Sequence, residues 1–343
     1  MNCPVCGGDY SDLYKFFTCE KFDGSFLYSD ITSRKCKNCG HIFNSLSKKE
    51  IENLGKYYEE EYAPINLSAN DDVTDRPGAD NEQRYEELFD FILPYAKYEG
   101  KILDVGCALG GFIKYCETKG WFNVYGIEPI QAYVDKANMD RIKVGSVYEI
   151  PFEDNTFDML ILDQVLEHLN DPHKAFMEMK RVLKEGGFIY ISVPNADKYN
   201  SDYFYLMREH IQHYNIVGIK VLAQKFGFEL INFEAGETKM IGSLKLPLIR
   251  AMLKVTGQIY CWGIGREFMY LYPYTRLKHL NLILVDDIPA KQEKTFKGMK
   301  IHSSEILKEA DENSFLIITA SVHKETLTKK AKELGFKGEI IDI

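Results

Sequence analysis

The chain has 343 residues, 45% of them hydrophobic and 27% charged, which supports two or three folded domains and excludes a disordered or low-complexity protein. Acidic residues outnumber basic ones, 51 against 42, and the net charge of −9 argues against a protein that grips a phosphate backbone. No apolar run approaches the ~20 residues of a membrane span, and the opening Met-Asn-Cys-Pro-Val-Cys lacks the basic and apolar regions of a secretory signal. The expected partners are therefore neither nucleic acid nor membrane, and the expected location is the cytoplasm.

The eight cysteines include two CxxC pairs, Cys3-Pro4-Val5-Cys6 and Cys36-Lys37-Asn38-Cys39, each followed by glycine. Paired knuckles without an export signal point to zinc in a closed, structural thiolate shell rather than to disulfides. Cys3, Cys6, Cys36 and Cys39 are the expected ligands, with Cys19 and His41 as alternatives. The gap between the pairs leaves room for a small hairpin, with Phe26-Leu27-Tyr28 and Arg34-Lys35 as its expected strands. A charged, tyrosine-rich stretch follows, and Asn70-Asp71-Asp72 and Arg76-Pro77-Gly78 read as a linker. A helix is expected from about Asn81 to Tyr95.

Lys101 to Val105 then forms a short apolar strand that runs into Gly106-Cys107-Ala108-Leu109-Gly110-Gly111, and Phe112 to Lys119 reads as a helix. Strand, glycine-rich turn and helix make a nucleotide-binding unit. A second strand, Asn123 to Ile127, ends at Glu128, an acid placed to suit the hydroxyls of a ribose. These features fit either a dinucleotide or S-adenosylmethionine. Asp104 before the glycines, a turn that is not GxGxxG, and the run from Val144 to Asp158 favour S-adenosylmethionine. A strand from Met159 to Leu162, then Gln164-Val165-Leu166-Glu167-His168, a helix reaching Arg181 and a strand from Phe188 to Val193 complete the unit. Beyond Pro194-Asn195 come Arg208-Glu209-His210-Ile211-Gln212-His213-Tyr214, a helix from Ile216 to Phe226 and a strand from Phe228 to Phe233. A loop past the fifth strand opens at the ligand-binding edge of a doubly wound sheet, so the Glu209-His210 pair is a candidate for proton transfer.

Residues 100 to about 235 resemble a class I S-adenosylmethionine-dependent methyltransferase. The resemblance implies an α/β fold with a seven-stranded, mostly parallel, Rossmann-like sheet and helices on both faces. It implies that Gly106, Ala108 and Gly110 line the methionine part of the cofactor, with Asp104 helping to place it. Glu128 would bind the ribose, and Ser146 and Val147 would sit at the adenine. Gln164 would lie at the end of the fourth strand.

The C-terminal third starts a fresh α/β pattern: strand Gln258 to Trp262, turn Gly263-Ile264-Gly265, helix Arg266 to Leu271, and strand Leu282 to Val285 closed by Asp286-Asp287. Strand Phe315 to Thr319, helix Glu325 to Leu334 and strand Glu339 to Ile343 follow. The GxG turn fits a bound nucleotide or a purely structural turn. The expected organisation is a zinc-binding domain at 1–75, a methyltransferase domain at 76–240 and a half-Rossmann α/β domain at 241–343. The CxxC pairs, the methyltransferase core, the Glu209-His210 loop, Gly242-Ser243-Leu244-Lys245 and the Asp286-Asp287-Ile288-Pro289-Ala290-Lys291-Gln292 segment together resemble the sugar C-methyltransferases, which act on nucleotide-linked keto sugars. That resemblance implies a small-molecule acceptor, such as a nucleotide-linked sugar or related glycan precursor. His210 is the expected general base, Glu209 orients its ring, and His168, His213 and Tyr214 hold substrate or support the base. O-methylation of another small-molecule precursor is the alternative; an RNA methyltransferase with a zinc ribbon is disfavoured by the acidic balance.

Overall fold

The computed structural model describes residues 2–16, 21–69, 81–198, 207–232, 258–274 and 276–342. The expected linker and the Gly242–Lys245 segment lie outside these residues, as does Cys19.

Three sheets organise the chain. The first is antiparallel, with strands β1 (Tyr10–Phe16), β2 (Ile31–Cys36) and β3 (Ile42–Asn44). The expected strand at Phe26–Tyr28 is absent, and β1 pairs with β2 in its place. Side chains satisfy here what a ladder would have satisfied: the Phe26 N–H donates to the Glu61 carboxylate at 2.7 Å and the Leu27 N–H to the Ser25 hydroxyl at 3.1 Å. Helix α1 (Lys48–Tyr57) starts at a capping box, with Ser47 accepting from the Glu50 N–H and Glu50 from the Ser47 N–H. It continues through a π-helical turn (Tyr58–Tyr62) into α2 (Ala63–Ala69).

Helix α3 (Asn81–Ile92) buries Tyr85, Leu88, Phe89 and Ile92, one face at i, i+3, i+4, i+7, against the central sheet. The central strands are β4 (Ile102–Val105), β5 (Val124–Glu128), β6 (Ile142–Val144), β7 (Phe157–Asp163) and β8 (Leu183–Ser192), in the order β6-β5-β4-β7-β8 and parallel throughout. All four β4 residues are buried, as a strand covered on both faces requires. Helices α4 (Gly111–Thr118), α5 (Gln131–Ala137) and α6 (Pro172–Val182) follow β4, β5 and β7. Among the described residues this sheet has five strands, against the seven expected. Residues 228–232 form no strand: the chain leaves α7 (Ile216–Lys225) by a turn in which the Phe228 N–H returns to the Ala223 carbonyl at 3.0 Å, and Phe228 packs against Phe176. Before α7, the short strand β9 (Gln212–His213) pairs with β3 and so joins the N-terminal sheet.

The third sheet holds β10 (Ile259–Trp262), β11 (Leu282–Val285), β12 (Thr295–Phe296), β13 (Met299–His302), β14 (Phe315–Ile318) and β15 (Glu339–Asp342) in the order β12-β13-β11-β10-β14-β15. All pairings are parallel except β12 with β13. Helices α8 (Arg266–Tyr274) and α9 (Lys324–Glu333) belong to this unit. In both parallel sheets the strand order reverses beside the first strand, between β4 and β7 and between β10 and β14, which is where doubly wound sheets open a ligand crevice.

Candidate active site

The turn after β4 lies at the first of those crevices. Gly106 has φ +75° and a Cβ there would stand 2.7 Å from Val165 Cγ2, so both conformation and close approach demand glycine. Ala108 at φ 47° and Gln164 at φ 60° are non-glycine residues in the left-handed region. They lie at the ends of β4 and β7, and such conformations cluster at binding sites. Glu128, buried at the end of β5, accepts from the Ala108 N–H and the Ile130 N–H, both at 3.1 Å. Its carboxylate therefore ties the first turn to the second. Asp104 is buried within β4 and Val147 is buried near the end of β6, while the Ser146 hydroxyl accepts from the Tyr148 N–H at 3.2 Å. The Gln164 amide donates to the Ser192 hydroxyl at 2.8 Å. Ala63 of α2 packs with Leu109, Ile130 and Tyr133, so the N-terminal helix covers the rim of this crevice.

The second feature is a histidine pair. His168, in a single helical turn after β7, and His210 have ring centroids 4.8 Å apart at 89°. His168 Nδ1 is 2.8 Å from the Glu209 carbonyl and 2.9 Å from the Tyr58 hydroxyl. A carbonyl only accepts, so Nδ1 carries the proton and Nε2 is the lone-pair nitrogen of the neutral ring. Glu167 is buried, and its carboxylate lies within 4.8 Å of ring nitrogens of both His168 and His210.

Glu209 is placed differently from expectation. Its carboxylate accepts from the Tyr57 hydroxyl at 3.0 Å and pairs with Arg266 of α8 at 3.5 Å, not with the His210 ring. Burial raises its pKa, but Arg266 and Arg208 outweigh burial and hold it at about 2. Glu209 is thus an ionised anchor between the central and C-terminal units, and Glu167 is the carboxylate beside the imidazoles. His213 and Tyr214 also depart from expectation. His213 is a buried member of β9, and burial, with His41 nearby, depresses its pKa to about 3. Tyr214 is a core residue packed 4.7 Å from His41.

The four expected cysteines converge. Cys3 and Cys39 have sulfurs 3.7 Å apart, Cys6 and Cys36 3.4 Å apart, and all four sulfurs lie within 4.8 Å of one another. Tetrahedral zinc with ~2.3 Å Zn–S bonds separates its sulfurs by about 3.8 Å, so the donor set fits that ion. Backbone N–H groups of Gly8, Asn38 and Cys39 point at sulfur. Burial raises the Cys36 thiol, but the Cys39 and Asn38 N–H groups together with the Cys6 and Cys39 thiols outweigh it and bring it down to about 7. His41 is not part of this group: its Nε2 is 2.8 Å from the Gln212 amide oxygen, and burial lowers its pKa to about 4.

Tyr57, Tyr58, Glu167 and Arg266 are the site residues that sequence reasoning missed. Tyr57 and Tyr58 flank a π-helical turn, a rare element that recurs at functional sites and that only the structure shows.

Residues 78–232 match the model of a methyltransferase domain family. An uncharacterized methyltransferase of Schizosaccharomyces pombe is 41% identical over 118 residues, 29% of this chain and 41% of that protein, so the match spans less than half of that relative. An uncharacterized protein of Methanocaldococcus jannaschii is 30% identical over 179 residues, 51% of this chain and 72% of that protein. Among solved structures, an S-adenosylmethionine-dependent methyltransferase from Archaeoglobus fulgidus is 20% identical with a TM-score of 0.41, covering 50% of this chain and 84% of that one. With the glycine turn, Glu128 and the parallel sheet on which they sit, the family match shows that residues 78–232 of this chain form a methyltransferase domain.

Proposed function

We propose that the protein methylates carbon in a nucleotide-linked keto sugar or a related glycan precursor, with His210 as general base. The observation that carries this reading is the loop at 208–213. It brings His210 against His168 at the edge of the central sheet, while Glu209 in the same loop pairs with Arg266, the first residue of the helix after the Gly263–Gly265 turn of the second parallel sheet. An acceptor with a reactive ring and a nucleotide tail suits a loop that reaches from the switch point of the central sheet to the N-terminus of α8.

In this reading residues 1–75 hold structural zinc on Cys3, Cys6, Cys36 and Cys39, residues 76–240 carry methyl transfer and residues 241–343 help to seat the acceptor. Asp104, Gly106, Ala108 and Gly110 hold the methionine part of the cofactor, Glu128 the ribose, Ser146 and Val147 the adenine, and Gln164 lines the crevice. Held by these residues, S-adenosylmethionine would supply an electrophilic sulfonium methyl group to the acceptor's carbanion, with a thioether as leaving group. His210 removes the proton beside the ketone, and Glu167 supports the imidazolium that forms. His168, fixed through Nδ1, packs edge-on against the His210 ring.

Methyl transfer from labelled cofactor to a panel of nucleotide-linked keto sugars, with the product's mass and methyl position determined, tests the assignment. His210→Gln is expected to lose about 10²–10⁴-fold in turnover with cofactor affinity retained. It should also abolish deuterium exchange beside the ketone in heavy water. A methyl found on oxygen, or full turnover in His210→Gln, would reject the reading.

A further inference from the structure

We propose that the four-cysteine knuckle sets the position of the 208–213 loop through Asn44, so that metal occupancy governs the placement of His210 and not the affinity for cofactor. The proposal rests on the reading of His210 as the base, and its test is independent of that role.

Four successive carbonyls of the loop are each held from outside it. The Arg208 carbonyl accepts from the Tyr28 hydroxyl at 2.5 Å, the Glu209 carbonyl from His168 Nδ1 at 2.8 Å, the His210 carbonyl from Asn44 Nδ2 at 3.0 Å and the Ile211 carbonyl from the Asn44 N–H at 2.9 Å. Three of the four donors belong to the N-terminal unit, and two of them are the side chain and backbone of one buried residue. Asn44 is fixed in turn, its Oδ1 accepting from the Ser33 hydroxyl at 2.6 Å.

Asn44 owes its place to the knuckle. Cys36 ends β2 and Cys39 lies just before β3. The turn between them is closed by the Gly40 N–H to the Cys36 carbonyl at 3.2 Å and the Cys36 N–H to the His41 carbonyl at 2.8 Å. That turn fixes the register that sets Ser33 opposite Asn44, and on its other edge β3 pairs Ile42 with His213. A metal drawing Cys36 and Cys39 onto the thiolates of Cys3 and Cys6 therefore locks the strand on which the loop hangs. A second link leaves the same turn through His41, whose Nε2 is 2.8 Å from the Gln212 amide oxygen, while the Gln212 amide donates to the Leu169 carbonyl at 3.1 Å and His168, in the turn after β7, holds the Glu209 carbonyl.

The turn after β4 packs on Ala63 through Leu109 and shares an apolar core with the knuckle through Val105 and Ile127, but its backbone is tied within the central sheet. The Gly106 and Cys107 N–H groups bond to the Ile127 carbonyl at 2.8 and 3.1 Å, and the Ala108 N–H to Glu128, all within the central sheet. Loosening β3 should free the loop and leave that turn unchanged. A knuckle that merely stabilised the whole chain would weaken both together.

The test uses the full chain, with hydrogen exchange followed by mass spectrometry over residues 207–214 and affinity for S-adenosylhomocysteine measured by calorimetry. Asn44→Ala, with its zinc content verified, is expected to raise exchange over 207–214 by about tenfold or more, with affinity within about twofold of the parent. Zinc removal with a mercurial and chelator should give the same pattern, and zinc re-addition should reverse it. The ¹⁵N-detected imidazole titration of His210 should move in Asn44→Ala, while that of His302, in the distant β13, stays put. Unchanged exchange over 207–214 in both preparations would overturn the proposal, as would a loss of S-adenosylhomocysteine binding in step with the loss of protection. His210→Gln keeps the loop's backbone bonds and should retain its protection whatever its turnover, so failure of the catalytic assignment is read separately.

Discussion

Glu128 was placed at the end of the second strand by a simple pattern, an acid after an apolar run, and the structure adds that its carboxylate is engaged by two backbone N–H groups. Glu128→Ala is expected to weaken S-adenosylhomocysteine binding by about 1.5–3 kcal/mol, the worth of a charged hydrogen-bond partner, as read by calorimetry. The titratable side chains of the 208–214 segment make stability fall on the acid side. His213 has a folded pKa of about 3, below its ordinary 6.5, so between those values the unfolded chain binds the proton and the native chain does not. Its contribution is complete above about pH 6.5 and is lost as pH falls, with a slope of up to ~1.4 kcal/mol per pH unit. Glu209, held at about 2, adds a loss of the same sign as pH falls through 4.5 toward 2. Urea midpoints should decline steadily from pH 7 to pH 5, and His213→Gln should flatten that decline.

At the scale of elements, the strand–turn–helix units were legible because each obeys a local rule. β4, β5 and β7 are apolar runs, α3 and α6 bury residues at helical spacing, and α6 opens with Asp171 capping the Lys174 N–H at 3.0 Å. What local rules could not supply was the contact between turns. Gly106 is constrained by Val165, which comes from the far side of β7. Gly106→Ala is expected to cost about 1–3 kcal/mol for its left-handed backbone, with cofactor affinity falling as the turn shifts. Thermal melts and calorimetry check both effects, and adding Val165→Ala should recover the part that comes from the clash alone. The π-helical turn at Tyr58–Tyr62 was equally out of reach, because the sequence there is an ordinary helical run of Tyr and Glu. Its extra residue is stabilised by distant partners, with Tyr57 on Glu209, Tyr58 on His168 and Glu61 on the Phe26 N–H.

Across the whole molecule, the C-terminal sheet meets the N-terminal unit at Asp23, with Glu61 4.0 Å from Lys294 and Phe22 packed on the C-terminal core beside it. Asp23 accepts from the Thr295 hydroxyl at 2.9 Å, the Lys297 N–H at 3.0 Å and the Gly298 N–H at 2.8 Å, while its own N–H reaches the Thr295 carbonyl at 2.9 Å. The Gly298 N–H is the chief reason its pKa is lowered. Asp23→Ala should raise hydrogen exchange across 295–298 and leave that at the Gly106–Gly110 turn unchanged.

The sequence by itself determined the glycine turn after β4, Glu128 at the end of β5, the four converging cysteines and the alternation of strands and helices. Each depends on residues close in the chain or on a spacing fixed by metal or backbone geometry. The tertiary structure decided which carboxylate serves which partner. Glu209 and His210 are adjacent in sequence, yet Glu209 turns to Tyr57 and Arg266 while Glu167, from another strand end, comes to the imidazoles. It also decided that two residues from beyond the central sheet complete the N-terminal one. A buried charge goes where an opposite charge and donors can compensate its lost hydration, and those partners come from segments far apart in the chain.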